Sequence, residues 1–503
     1  MFGKVLVANR GEIALRIIRA LQELGIVAVA VYSEADRAAQ HVRQADEAYP
    51  IGPAAPRESY LSVPALLEAC RLSGAEALHP GYGFLSENAE FARACGEAGV
   101  VFIGPSPEVI ATMGEKTAAR RLVESLGVPV LPGLYLDEGG GDETLQARAE
   151  ALGFPLVLKA AFGGGGKGMR WVHRPDELHA AFERARSEAR QAFGDGTLYL
   201  EKALVRPRHI EIQIVADRQG NVLSLLDRDC SLQRRHQKVV EEAPAAALSR
   251  EVVETMSACA ERIAKAAGYY SLGTLEFLVD EDENFYFLEM NTRLQVEHPV
   301  TELVYGIDLV HEQIRIAAGL PLSLRAEQVQ ARGHAVECRI YAEDPEQNFM
   351  PSPGTLQRYR PATGPWLRVD DGVYEGYEIP SEYDPLLAKL VAWGRDRDEA
   401  LSRMKAALSR YVVLGVANNL EFLQRLLSHP TFVNAQHHTS FIESERASLC
   451  AAPLAESDSA LPLKDAVALI AAALWRETKG VPAVSASSTS SEPSAWRRTT
   501  LVR

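Results

Sequence analysis

Two short apolar runs separated by one amphipathic helix open the chain, and they constrain the fold more than any other feature. KVLVA (4–8) is a continuous apolar run of strand length. NRGEIALRIIRALQELG then places apolar residues at 13, 14, 17, 18, 21 and 24, one face of a helix that Gly25 closes. IVAVAVY (26–32) is a second buried strand. ALLEACRLSG, EALHPGYGF and VVFIGPS continue the alternation. Strand–helix–strand repetition of this kind requires a parallel sheet with helices on its faces. It is expected over residues 1–113.

The chain has 503 residues, room for two to four domains. Acidic residues outnumber basic ones to give a net charge of −14. That balance argues against a general nucleic-acid binder or an anionic membrane surface. Any anionic small molecule would need a local basic patch. The six cysteines are scattered, with no CxxC pair, as expected of a reduced intracellular protein without a thiolate zinc site. MFGKVLVANRGEI enters a strand directly, without a signal-peptide pattern, and AVALIAAALW (466–475) is too short to span a bilayer. A cytoplasmic location is expected.

Further along, FPLVLKAAFGGGGKGMRWV reads as two strands around a glycine loop, and residues 206–330 are strand-rich. GHAVECRIYAED begins an antiparallel piece running to about residue 446. Residues 447–479 are Ala/Leu-rich, and SASSTSSEPS (485–494) is low-complexity and expected to be disordered.

EMNTRLQVEHP (289–299) puts Glu289, Asn291, Arg293, Gln295 and Glu297 on alternate positions. If the segment is extended, these charges and amides share one face and Met290, Thr292, Leu294 and Val296 the other. Upstream, LEFLV and FYFLE read as strands joined by the turn DEDEN. Pairing Asp280 with Phe285 places Glu276 directly opposite Glu289. Like charges there destabilise, so both carboxylates need a cation. Oxygen ligation by two carboxylates suits Mg²⁺ or Mn²⁺. The alternative is an ordinary solvated hairpin charge, which a strict row of Arg, amides and Glu beside apolar neighbours disfavours.

FGGGGKGMR (162–170) could wrap backbone N–H groups around a phosphate, because glycine removes the Cβ clashes. It lacks the Ser or Thr of a P-loop after Lys167 and opens no helix. A hairpin lid over a nucleotide is expected, with Lys159 nearby to hold a phosphate; a flexible linker is the alternative. RDCSLQRRHQKVVEEAP (228–244) clusters Arg228, Arg234, Arg235, His236 and Lys238, either an anion site or a solvated basic loop. Lys116 starts a helix, where a surface lysine is the default.

Together these segments resemble the biotin carboxylase family, the ATP-grasp component of biotin-dependent carboxylases. VANRGEIALRI, HPGYGFLSEN, KAAFGGGGKGMR, RDCSLQRRHQKVVEEAP, EMNTRLQVEHPVTE and GHAVECRIYAEDP follow the family's order from Lys4 to about residue 445. The resemblance implies an α/β and α+β multidomain protein. A Rossmann-like domain (1–113) precedes an ATP-grasp domain (114–330) whose mobile glycine lid spans about 131–205. A mixed, largely antiparallel biotin carboxylase C-terminal domain (331–446) and a tail (447–503) follow. The implied reaction is ATP- and bicarbonate-dependent carboxylation of biotin through carboxyphosphate, the first half-reaction of an acyl-CoA carboxylase.

The resemblance also assigns roles. Lys116, Lys159 and His209 would contact ATP, with Glu201, Lys202 and Leu204 at its adenine end and Gly164, Gly165 and Gly166 in the lid. Gln233, His236 and Lys238 would line the phosphate and bicarbonate end. Glu276 and Glu289, with Asn291 beside them, would bind two Mg²⁺ or Mn²⁺ ions. Arg293, Gln295 and the Val296 backbone would hold bicarbonate, and Glu297 would be its general base. Arg339 would face the biotin ureido oxygen, with Tyr82 nearby. The implied partners are a biotin carboxyl carrier protein or domain, a carboxyltransferase subunit, and further copies in a homodimer or larger complex, with no nucleic acid and no membrane.

Two features depart from the family pattern. Phe162 stands where a small residue is usual. The second is the tail beyond residue 446: FIESERASL (441–449) and the later AWRR look like the point where larger α-subunits continue toward a carrier whose biotinylated Lys lies between two Met. The last methionine here is Met404, so biotin is expected on another chain, or the chain is a shortened α-subunit. Two other readings are an ATP-grasp ligase joining a carboxylate to an amine, and a non-catalytic nucleotide-binding assembly subunit. Arg293, Gln295, Glu297 and Arg339 oppose the first, and the full set of chemical residues opposes the second.

Overall fold

The computed structural model describes residues 1–136, 142–160, 170–193, 196–235, 237–325, 329–450 and 470–471. Residues 1–451 form one compact unit; in the second, 452–503, Ile470 and Ala471 are described, both helical.

Strand β1 (Lys4–Val7), the helix Gly11–Glu23 and β2 (Val27–Ser33) follow one another as the opening pattern requires. With β3 (Glu47–Gly52), β4 (Ala77–His79) and β5 (Val101–Phe102) they make a parallel sheet of order β3-β2-β1-β4-β5. Ile13, Ile17, Ile18 and Leu21 of the helix are buried with Val5 and Val7 in one core. Each such side chain contributes about 1.5–3 kcal/mol.

A second, antiparallel sheet has the order β6-β9-β7-β8: β6 (Gly133–Leu136), β7 (Leu156–Ala160), β8 (Arg170–Val172) and β9 (Leu198–Lys202). The strands expected around the glycine loop are thus β7 and β8. The loop itself, with Phe162, Gly164, Gly165 and Gly166, lies outside the described residues, as does His236.

The third sheet carries the site. Its order is β14 (Phe285–Asn291), β13 (Ser271–Val279), β10 (Arg208–Ala216), β11 (Val222–Arg234), β12 (Gln237–Ala243), β15 (His334–Tyr341), then Leu386–Gly394 and Leu367–Asp371. Every neighbouring pair is antiparallel. The C-terminal strands are a continuation of this sheet. Strand β15 docks on β12 with Val240 opposite Cys338, which brings Arg339 toward the strand of Lys238.

The β13–β14 hairpin departs from the expected register in two places that cancel. Val279, rather than Asp280, pairs with Phe285, because Asp280 caps the turn: its Oδ1 accepts from the N–H groups of Asp282 (3.0 Å) and Asn284 (2.9 Å). A register shift at Leu288 then restores the alignment, and Glu276 does stand opposite Glu289.

EMNTRLQVEHP is extended only as far as Asn291. Residues 292–297 form a turn, and the helix His298–Tyr305 begins with Glu297 at its N-cap position. The alternation holds only in part: Leu294 enters the apolar core and Arg293 and Gln295 line a cleft, but Val296 lines the cleft too, while Glu297 lies behind it. Among the described residues, no helix is long and apolar enough to cross a membrane.

Candidate active site

Residues paired across a ladder share a face of the sheet. One rung of the third sheet runs Arg228, Glu211, Glu276, Glu289 across β11, β10, β13 and β14. Three adjacent carboxylates need cations to stay ionised. Arg228 donates through Nε and Nη2 to Glu211 Oε2 at 3.1 and 3.0 Å. Lys238 donates to Glu211, to Glu276 Oε1 at 2.9 Å and to Glu297 Oε1 at 2.7 Å. His209 Nε2 lies 3.0 Å from Glu276 Oε2. The amides of Asn291 and Gln295 donate to Glu276 Oε1 at 2.8 and 3.1 Å.

These contacts split the acids. Burial would raise the Glu276 carboxyl, but Lys238 and His209 hold it well below the usual range. Burial would also raise Glu211, yet Lys238 and Arg228 hold it at about 2. Glu289 moves the other way, pushed up by burial and by the Glu276 charge, with Lys116 opposing. Among the described residues no hydrogen bond reaches the Glu289 carboxylate. One engaged carboxylate facing one unengaged carboxylate across a ladder is a donor set that fits Mg²⁺ or Mn²⁺. Two other groupings at this site, His209–Glu211–Glu276 and Glu211–Cys230–Glu297, are dense enough for a metal ion, but both depend on Glu211, whose two oxygens already accept from Lys238 and Arg228.

Burial would lower the His209 imidazole, but Glu276 and Glu211 override it and raise it from 6.5 to about 9. A folded pKa above the unfolded one stabilises the fold below pH 6.5, and that stability is lost as pH rises through 9. The full effect is about 3 kcal/mol. Wild type should therefore melt above His209→Gln at pH 6, with the gap shrinking steadily up to about pH 10. A gap independent of pH would refute the charged imidazole.

Glu297 is fully buried. Its Oε1 accepts from Lys238 and its Oε2 from Arg339 Nη2 at 3.0 Å. Burial would raise its pKa, but Lys238 and Arg339 keep it below the usual carboxylate value despite the nearby Glu211 charge. Arg339 also donates through Nε to Glu241 Oε1 at 2.6 Å. Arg293 donates through Nε to Glu87 Oε2 at 2.9 Å, and through Nη2 to Asn291 Oδ1 at 2.8 Å. Its Nη1 reaches Gln295 Oε1 at 3.3 Å.

The cleft has a volume of about 1500 Å³. It gathers Tyr82, Lys116, Lys159, Glu201, Lys202, Leu204, His209, Gln233, Lys238, Glu276, Glu289, Asn291, Arg293, Gln295, Val296 and Arg339 in its walls. Glu297 sits behind them, bonded to Lys238 and Arg339. Lys116 is no ordinary surface lysine: burial lowers its pKa, with Glu289 opposing. Lys159 pairs with Glu201. Gln233 Nε2 lies 3.0 Å from His209 Nδ1. The Lys202 ammonium is tied to the carbonyls of Gly153 and Phe154 at 2.8 and 2.9 Å.

Sequence reasoning missed Glu211, Glu87 and Glu241 and left Arg228 without a partner. Glu211 had a legible signal, since in HIEIQIV it alternates with isoleucines on the same face as His209. Glu87 and Glu241 reach Arg293 and Arg339 from distant parts of the chain, which no local pattern announces.

A cleft of this size lined by lysines, with opposed acids on an antiparallel sheet, suits a polyphosphate ligand with its metal ion. Residues 115–325 match the family described as carbamoyl-phosphate synthase L chain, ATP binding domain. Residues 1–110 match the biotin carboxylase N-terminal domain, and 337–444 the biotin carboxylase C-terminal domain. The chain is 49% identical over 445 residues to biotin carboxylase 1 of Bacillus subtilis, covering 88% of this chain and 99% of that one. It is 51% identical over 447 residues to a pyruvate carboxylase subunit of Methanothermobacter thermautotrophicus, covering 89% and 90%. Among solved structures it resembles the biotin carboxylase domain dimer of Hydrogenobacter thermophilus 2-oxoglutarate carboxylase, in complex with MgADP, ADP and bicarbonate. There the TM-score is 0.85 at 46% identity, covering 90% of this chain and 100% of that one. The chain belongs to the biotin carboxylase family.

Proposed function

We propose that this chain carboxylates biotin with bicarbonate and ATP, and that Glu297 is the base that receives the bicarbonate proton. The observation carrying this reading is Glu297 held ionised between Lys238 and Arg339, beside the Arg293–Gln295 pair. Bicarbonate must lose its proton to attack the γ-phosphate, and a carboxylate already ionised can accept it. Arg293 and Gln295 would hold the bicarbonate anion, with Arg293 itself braced by Glu87. Lys116, Lys159 and His209 would hold the phosphates of ATP, and Glu201 and Leu204 its adenine end. Glu276 and Glu289 would hold Mg²⁺ or Mn²⁺, which when bound neutralises charge on the transferring phosphoryl group. Carboxyphosphate formed in this way releases CO₂ and phosphate. Phosphate then takes the biotin N1′ proton while Arg339 stabilises the ureido oxyanion, with Tyr82 close by, and N1′ adds to the CO₂ to give carboxybiotin.

In this reading the chain works as a homodimer or larger complex with a biotin carrier protein or domain and a carboxyltransferase subunit. Relatives named for pyruvate and 2-oxoglutarate carboxylases point to this half-reaction as the shared one. The matched segments support divisions at 1–113, 114–330 and 331–446 with a tail from 447. Free cysteines support a reducing, cytoplasmic setting.

Bicarbonate-dependent ATP hydrolysis stimulated by free biotin tests the reading; hydrolysis indifferent to both would refute it. Replacing Arg293 with Ala should raise the bicarbonate KM about tenfold to a hundredfold, because a charge-assisted contact to the anion is lost. Normal bicarbonate saturation in that variant would remove Arg293 from the anion site.

A further inference from the structure

In the strand Leu386–Gly394, Lys389 stands directly opposite Arg339 on one side and Asp370 on the other. Two cations paired across a ladder repel, so each needs its own anions. Arg339 has Glu241 and Glu297. Lys389 has Glu12 at 3.2 Å and Asp370 at 3.8 Å. Glu12 comes this close because Gly372 has no side chain: a Cβ there would stand 2.6 Å from the Glu12 backbone nitrogen.

Lys389 is fully buried, a rare state for lysine unless it is paired. Its two acids would meet that need, yet its ammonium makes a third contact. It donates to the Val296 carbonyl at 2.9 Å. That carbonyl belongs to the peptide leading into Glu297. One residue earlier, the Gln295 carbonyl accepts from His298 Nδ1 at 2.8 Å. Burial and the surrounding cations keep His298 neutral, so the nitrogen facing that carbonyl carries the ring proton. Two successive carbonyls of the turn are therefore each fixed by a buried donor. Arg339 and Lys389, one cross-strand pair, grip Glu297 by its carboxylate and by the peptide before it.

We infer that Lys389 is a positioning residue for bicarbonate: it fixes the Val296–Glu297 peptide, and through it the Glu297 carboxylate and the bicarbonate-facing side of the turn. This rests on the biotin carboxylase reading above.

The test is Lys389→Met, alone and combined with Glu12→Gln, which removes the acid the first change would orphan. Steady-state ATP hydrolysis is measured against bicarbonate and against MgATP. The bicarbonate KM should rise about tenfold or more and kcat should fall, while the MgATP KM stays within about twofold. A purely structural lysine would shift both KM values together, leave both unchanged, or leave neither variant folded, and any of these results overturns the inference. Wild type run in parallel separates the two claims. Should wild-type hydrolysis ignore bicarbonate, the proposed reaction fails; should it need bicarbonate while the variant saturates normally, only the role of Lys389 fails.

Discussion

Glu297→Gln should lower bicarbonate-dependent ATP hydrolysis by about 10²–10⁴-fold in kcat, the usual contribution of a positioned general base. The substitution keeps size and shape, so packing at this fully buried position changes little. It removes the one group that can take a proton between Lys238 and Arg339. The MgATP KM should hold, because the nucleotide-facing lysines, Lys116 and Lys159, do not depend on Glu297. Any bicarbonate-independent background hydrolysis should hold for the same reason. A near-normal kcat would move the base elsewhere. A rise in the MgATP KM as large as the loss of kcat would recast Glu297 as part of the frame.

How much of this is legible in the sequence depends on how far apart the interacting residues are. The opening strand–helix–strand pattern is local, and β1, the helix Gly11–Glu23 and β2 form as it requires. The Glu276–Glu289 opposition is nearly local. It emerges from strand pairing alone, although Asp280 caps its own turn and a compensating shift at Leu288 resets the register. Neither detail can be inferred from apolar periodicity. The row from Glu289 to Glu297 reads as one extended ribbon, but its second half is a turn. The side chains converge all the same, because Lys238 and Arg339 draw Glu297 in while Gln295 reaches Glu276. What stays invisible are the joints between distant strands. Strand β12 meets β15 across about a hundred residues of sequence, and without that joint nothing brings the Arg339–Lys389 pair to the strand of Lys238. Composition cannot disclose such a pairing, since many apolar strands would satisfy it equally well.

The largest loss of stability should come from Lys238→Met. One ammonium serves Glu211, Glu276 and Glu297, all buried. Removing one partner from a buried ionic cluster leaves uncompensated charge and costs about 3–5 kcal/mol. Arg228 still covers Glu211, and Arg339 still covers Glu297, so Glu276 loses most and falls back on His209. Without the lysine, burial and mutual repulsion raise the carboxylate pKa values above their unfolded ones, so protonation relieves the variant as pH falls. The melting gap between wild type and Lys238→Met should therefore be widest near neutrality and narrow toward about pH 5. Activity should fall by about 10²–10³-fold, as for loss of one preorganised charge donor. Lys238→Arg, which restores charge without the compact shape, should recover stability better than rate. Equal melting of Lys238→Met and wild type at every pH would mean that the three acids do not share a charge, and the electrostatic account of the site would fail with it.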